Sequence, residues 1–220
     1  MVHVTGLRGS IRRQLDLSPF VVRAKDGANY TLRPIEPDDA ASLIRGYDAM
    51  SDQAKWYRML YTVPHLTDET ARRFCSPDRD RDLCIVIIGQ GQLEGEIIGG
   101  ARIAGDADGR RAEFSVSLRP EAQGLGLAHQ ALHIVLQAAK EMGYERAWGV
   151  IAVHNVAMLS LARRLGFTFC PDPDDVALID AEIDLATLAC REISTSQVSY
   201  VQMRPVEPNP SGNVPKFRDQ

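Results

Sequence analysis

The chain has 220 residues, 45% of them hydrophobic, which is enough for one well-buried core with tails. Its formal charge of −4 and pI near 5.7, without any block of Lys or Arg, exclude a general nucleic-acid binder and leave a mild bias toward basic partners. No apolar run approaches the ~20 residues of a membrane helix, so no membrane partner is expected; Ile85-Val-Ile-Ile88 is only strand-sized.

Residues 1–18 read as a weakly ordered N-terminal extension, basic but without the continuous apolar stretch of a secretory signal. Phe20-Val-Val-Arg23 and Tyr30-Thr-Leu-Arg-Pro-Ile35 flank Lys25-Asp-Gly-Ala28, and Asp-Gly between such runs predicts a hairpin. Pro37-Asp-Asp39 opens a helix with Ala41, Leu43, Ile44 and Tyr47 on its apolar face. A second helix is predicted over Asp52 to Leu60. There the spacing of Trp56, Tyr57, Met59 and Tyr61 suits a core face, with a hydrophobic lip as the alternative. A third helix starts at Thr67 or Asp68.

Strands follow at Leu83 to Gly89, Glu96 to Ile103 and Arg111 to Leu118, joined by a Gly-rich loop and by the Asp106-Ala-Asp-Gly109 turn. Ala112, Phe114, Val116 and Leu118 alternate with Glu113, Ser115 and Ser117, so one set faces a core and the other faces away. Ala128, Ala131, Leu132, Val135, Leu136 and Ala139 recur at helical spacing up to Gly143. A strand over Arg146 to Val153, a helix from Asn155 to Gly166, and a strand pair at Thr168 to Cys170 and Val176 to Leu185 complete the pattern. Residues 186–220 form a C-terminal extension whose Pro205, Pro208, Pro210 and Pro215 predict a flexible end.

Cys75, Cys84, Cys170 and Cys190 lack C-x-x-C pairing, and His65 and His154 belong to no ligand set. No metal site and no disulfide framework are expected, which favours the cytoplasm.

Between the alternating strand and the long helix lies Arg119-Pro-Glu-Ala-Gln-Gly-Leu-Gly-Leu-Ala128. Gly124 and Gly126 let the backbone approach a ligand, and the helix start offers unpaired N–H groups to an anion such as a pyrophosphate. A Gly-x-Gly alone is as well explained by a tight turn that packs helix on sheet.

The order of these segments resembles the GNAT acyltransferase superfamily. Gln123, Gly126 and Ala128 match its Q/R-x-x-G-x-G/A loop, and Asn155 through Gly166 and Phe167 match its asparagine-to-Gly-Phe helix. Thr31-Leu-Arg-Pro-Ile-Glu-Pro-Asp-Asp39, the Arg-Ala-Glu-Phe tract and Leu161-Ala-Arg-Arg-Leu-Gly-Phe167 look like the acetyltransferase part of bacterial Pat-type protein lysine acetyltransferases. The resemblance implies an α/β GNAT domain over residues 19–185, a mixed, mainly antiparallel twisted sheet flanked by helices and opened between the Glu113 strand and the strand near Val150. It implies a stand-alone catalytic unit that moves an acetyl group from acetyl-CoA to an amine, read here as the ε-amine of a protein lysine.

On that resemblance, Glu113 is the general base; strand patterning alone leaves open a surface glutamate paired with Arg102 or Arg111. The Val116 N–H is the implied oxyanion donor. Gln123, Gly124, Leu125, Gly126, Leu127 and Ala128 hold the pyrophosphate, with His129 a possible extra contact or a plain exposed histidine. Asn155 caps its helix and, by resemblance, touches the pantetheine arm. Many GNAT enzymes carry a tyrosine where this chain has Ala162; Ser160 or water is then the proton donor to the leaving thiolate. The rivals are a small-amine acceptor and an acyl-CoA-binding regulatory module without turnover.

Overall fold

The computed structural model describes residues 19–188, and the two predicted extensions fall almost wholly outside them. β1 (Phe20–Arg23) and β2 (Asn29–Pro34) form the expected hairpin, with the Ala24 N–H donating to Ala28 O at 2.9 Å across the turn. Three short helices follow, α1 (Ala40–Asp48), α2 (Asp52–Met59) and α3 (Asp68–Phe74). Ser51 and Thr67 cap the last two by accepting the N–H groups of Ala54 and Thr70, each at 3.2 Å.

The chain then runs through β3 (Asp82–Ile88), β4 (Ile97–Gly105), β5 (Arg111–Leu118), α4 (Leu127–Glu141), β6 (Arg146–Ala152), α5 (Val156–Leu165), β7 (Thr168–Pro171) and β8 (Leu178–Asp184). Together the strands make one eight-stranded sheet in the order β1-β2-β3-β4-β5-β6-β8-β7. Neighbours are antiparallel except β5 and β6, which α4 joins by a crossover and so leaves parallel.

The apolar stripe of α4 explains the core. Leu127, Leu132, Val135 and Leu136 are fully buried against Ile85, Ile87 and Ile103 of the sheet. Truncating one of these leucines or isoleucines to Ala costs about 2–5 kcal/mol. On the opposite face, α1 and α3 cover the sheet through two smaller clusters, one around Ile35, Cys75, Val86 and Ile97 and one around Tyr47, Leu66 and Ala71.

Two expectations are corrected. Trp56 and Tyr61 are 36% and 60% exposed rather than core, because α2 turns Lys55 inward instead, its Nζ donating to Pro64 O at 3.0 Å. The last strand starts at Leu178, not Val176. Asp172 Oδ1 accepts the N–H groups of Asp174 and Asp175 and ties a turn that leaves Val176 94% exposed.

Candidate active site

The sheet opens where two neighbouring strands part. β5 and β6 are in register only at Arg111 with Arg146, Ala112 with Ala147 and Glu113 with Trp148. Beyond that point β5 pairs with β4 alone and β6 with β8 alone.

Hydrogen-bond phase fixes what the gap receives. The Arg119 N–H donates to Ile98 O and the Asp106 N–H to Arg111 O, both at 2.8 Å. The alternation of an antiparallel pair therefore turns the backbone groups of Glu113, Ser115 and Ser117 toward β4 and those of Val116 and Leu118 toward β6. By the same rule the Val153 N–H, bonded to Ala177 O at 2.9 Å, turns the backbone of Val150 toward β5. Val116 and Val150 thus present main-chain donors and acceptors to an open seam, where such groups need a partner.

Gly124 and Gly126 form the wall above this seam. Gly126 is the N-cap of α4 at φ 81°, a left-handed conformation that glycine adopts without strain. The Gln123 N–H is used by Pro120 O at 3.2 Å, whereas the amides from Gly124 to Ala128 have no acceptor beyond the helix's own ladder among the described residues. From outside, the β1–β2 hairpin holds the loop. The Lys25 N–H donates to Leu125 O at 3.0 Å, and Gln130 Nε2 donates to Arg23 O at 3.1 Å. The Lys25 stem lies over Gly126, where an added Cβ would meet it at 3.4 Å.

These parts line one cleft of about 700 Å³, within the usual range for small-ligand sites. Glu113, Val116, Gln123, Gly124, Gly126, Ala128, His129 and Asn155 all reach its wall. Leu125 and Leu127 do not: Leu125 packs on the core and Leu127 is fully buried in it. Asn155 Oδ1 accepts the Met158 N–H at 3.1 Å, so the cap is made and its amide nitrogen is left for other partners. Ser160 is not brought to the wall; its Oγ accepts from Arg164 Nη1 at 2.9 Å. Ala162 is fully buried and carries no chemistry.

Glu113 is exposed to the cleft and takes part in none of the ion pairs among the described residues. Arg102 pairs instead with Asp82 at 2.6 Å and Arg111 with Asp106 at 3.2 Å, so both partners that would have made Glu113 a plain surface glutamate are occupied. Arg58, Lys25 and Arg102 also line the cleft; the sequence offered Arg102 only as a partner for Glu113 and did not single out Arg58 or Lys25 as site residues. For Arg58 the available signal was a long cation on the same helical face as Ala54 and Lys55, a face that cannot point to solvent if α2 covers the sheet. Burial holds the Arg58 pKa below the ordinary arginine range, and the charge on Glu113 works against that shift. Among the described residues no group of His, Cys, Asp and Glu could hold a metal, and no helix is long and apolar enough to cross a membrane.

A parted parallel seam and a glycine loop with unused amides, beside a carboxylate that enters none of the ion pairs among the described residues, make this cleft the candidate active site. The sequence model of the acetyltransferase (GNAT) domain matches residues 29–168, and the chain belongs to the GNAT acetyltransferase family. Acetyltransferase PA5475 of Pseudomonas aeruginosa is 23% identical over 156 residues, which is 71% of this chain and 84% of that protein. The crystal structure of the GNAT domain of S. lividans PAT is similar at a TM-score of 0.68 and 25% identity, over 76% of this chain and 96% of that one. Spermidine N-acetyltransferase from Vibrio cholerae, solved with CoA and spermine, shares the fold at a TM-score of 0.58 and 17% identity, over 71% of this chain and 96% of that one.

Proposed function

We propose that the protein acetylates the ε-amine of protein lysines, using acetyl-CoA and Glu113 as general base. The observation that carries this reading is Glu113 itself, a carboxylate with no ion-pair partner on the last residue of β5 in register with β6.

An incoming lysine is an ammonium with a pKa of about 10.4 and must lose a proton before it attacks. Glu113 takes that proton, directly or through one water. The amine nitrogen bonds to the thioester carbon, the C–S bond breaks, and the thiolate leaves with a proton from water. The Val116 N–H faces the side where the carbonyl oxygen gains charge and stabilises it there. The amides of Gly124, Gly126 and Ala128 and the Lys25 ammonium receive the diphosphate, and the free amide nitrogen of Asn155 meets the pantetheine arm. The main-chain groups of Val116 and Val150 flank that arm in the open seam.

A polyamine acceptor draws no support from the recess beside Glu113, because its charged lining is arginine. The free thiols of Cys75, Cys84 and Cys170 fit a reducing, cytoplasmic setting.

Release of CoA by the purified full chain with lysine peptides tests the reading. Glu113→Gln is expected to lower kcat about 10²- to 10⁴-fold while the acetyl-CoA Kd stays within about twofold of wild type. Unchanged turnover in that variant removes Glu113 as the base.

A further inference from the structure

Arg58 stands at the partition between the cleft and a smaller cavity of about 70 Å³ enclosed by α1, α2, α3 and the sheet. Met50, Met59, Arg102, Ser115 and Ser117 line both spaces with it. Three arginines therefore gather on the acceptor side, and their partners differ. Arg102 is neutralised by Asp82 at 2.6 Å, and Arg119 reaches Glu121 at 3.2 Å while its buried Nε has no hydrogen-bond partner. Arg58 enters none of the ion pairs or side-chain hydrogen bonds among the described residues.

An enclosed guanidinium stays protonated, and leaving it without a counter-anion is costly. Its planar fork is built to receive a carboxylate. Ser115 and Ser117 share the Glu113 face of β5 and add two hydroxyl donors beside it. The site thus sets the Glu113 carboxylate, whose charge reaches Arg58 without a direct contact, beside a guanidinium whose own fork is left open.

We infer that the acceptor carries a carboxylate close to its reacting amine, and that Arg58 holds this carboxylate while Glu113 receives the amine. The inference rests on the amine-acetylating reading above. A side-chain carboxylate next to the acceptor lysine of a protein and the α-carboxylate of a free amino acid present the same chemistry. Two arms of one test separate them.

The first arm compares a peptide holding Lys-Glu with the same peptide holding Lys-Gln, and the second compares lysine with cadaverine, which is lysine without its carboxylate. The readout is the ratio of kcat/KM within each pair for the full-length protein. Wild type is expected to favour the carboxylate-bearing member about 10- to 100-fold in one arm. Arg58→Gln brings that ratio near one, and Arg58→Lys keeps part of it. Because each ratio is internal to a variant, partial loss of folded protein cancels.

A wild-type ratio near one in both arms, or a ratio that survives Arg58→Gln, overturns the inference. Calorimetric titration of the same pairs into the protein with CoA present reads the preference without turnover. Preferential binding without catalysis would support Arg58 recognition and sink the catalytic reading, whereas catalysis with equal binding and equal ratios would do the reverse.

Discussion

Glu113 and Trp148 form the last register pair between β5 and β6. The carboxylate and the mouth of the cleft are thereby set by one backbone contact. A local network braces that contact: Trp148 Nε1 donates to Asp106 at 3.2 Å, and Arg111, paired with the same Asp106, lies 5.5 Å from the Trp148 ring centroid. Positioning of the Glu113 carboxylate thus depends on the seam as well as on β4.

The residue after Trp148 tests this. A Cβ on Gly149 would lie 2.9 Å from the Phe114 ring, which itself packs on Phe167 with centroids 4.7 Å apart. Gly149→Val is expected to lower stability by about 1–3 kcal/mol through overpacking. It should also weaken acetyl-CoA binding, because Phe114 lines the cleft and is pushed aside. Thermal unfolding and calorimetry check the two effects.

At the loop, Gly126→Ala places a side chain at φ 81° and against the Lys25 stem. The backbone strain alone costs about 1–2 kcal/mol, and a tilted loop misaims its amides. The expected result is roughly a tenfold rise in the acetyl-CoA Kd, equivalent to about 1.4 kcal/mol. Unaltered affinity would dissociate this loop from the diphosphate.

Asp39 gives a pH-dependent prediction. Burial raises its pKa, but the two hydrogen bonds from Arg33, both 2.7 Å, and one from the Glu36 N–H at 2.8 Å outweigh burial and hold it below the ordinary carboxylate value. A depressed folded-state pKa stabilises the protein above the unfolded pKa, and that contribution disappears as pH falls through the folded value. Asp39→Asn is therefore expected to cost about 1.5–3 kcal/mol near pH 7. The gap to wild type should close below about pH 4. Urea titrations at several pH values measure it.

Cysteine chemistry separates the interior from the surface. Burial pushes the thiols of Cys75 and Cys84 up to about 11, with the arginines Arg58 and Arg102 only partly offsetting this at Cys84. Neither is appreciably a thiolate at pH 8, whereas Cys170 is exposed on β7. Peptide mapping after brief iodoacetamide treatment of the native protein is expected to find Cys170 modified well before Cys75 and Cys84. Rapid labelling of Cys84 would mean that the smaller cavity beside the cleft opens in solution.

Much of the fold was legible because its signals are local. The alternation from Arg111 to Leu118 assigned Glu113, Ser115 and Ser117 to one face, and the structure keeps them there. Asn155 announced its cap, and the periodicity of α4 named the residues it buries. The α2 side of the cleft was less legible. Conspicuous aromatics on and just after α2 drew attention to Trp56 and Tyr61, which are exposed, while Arg58 carried no motif. Its significance depends on β3, β4 and β5 lying beneath α2, a tertiary relation that helical spacing does not encode. The role of Lys25 was hidden for the same reason, since a hairpin turn gives no sign that it will be laid over a loop a hundred residues away.

That hairpin sets a practical boundary. The region shared with the family begins at residue 29, after both Arg23 and Lys25. A fragment trimmed to that limit would keep the loop and helix motifs and still lose the Lys25 and Arg23 contacts that hold the outer side of the Leu125 turn.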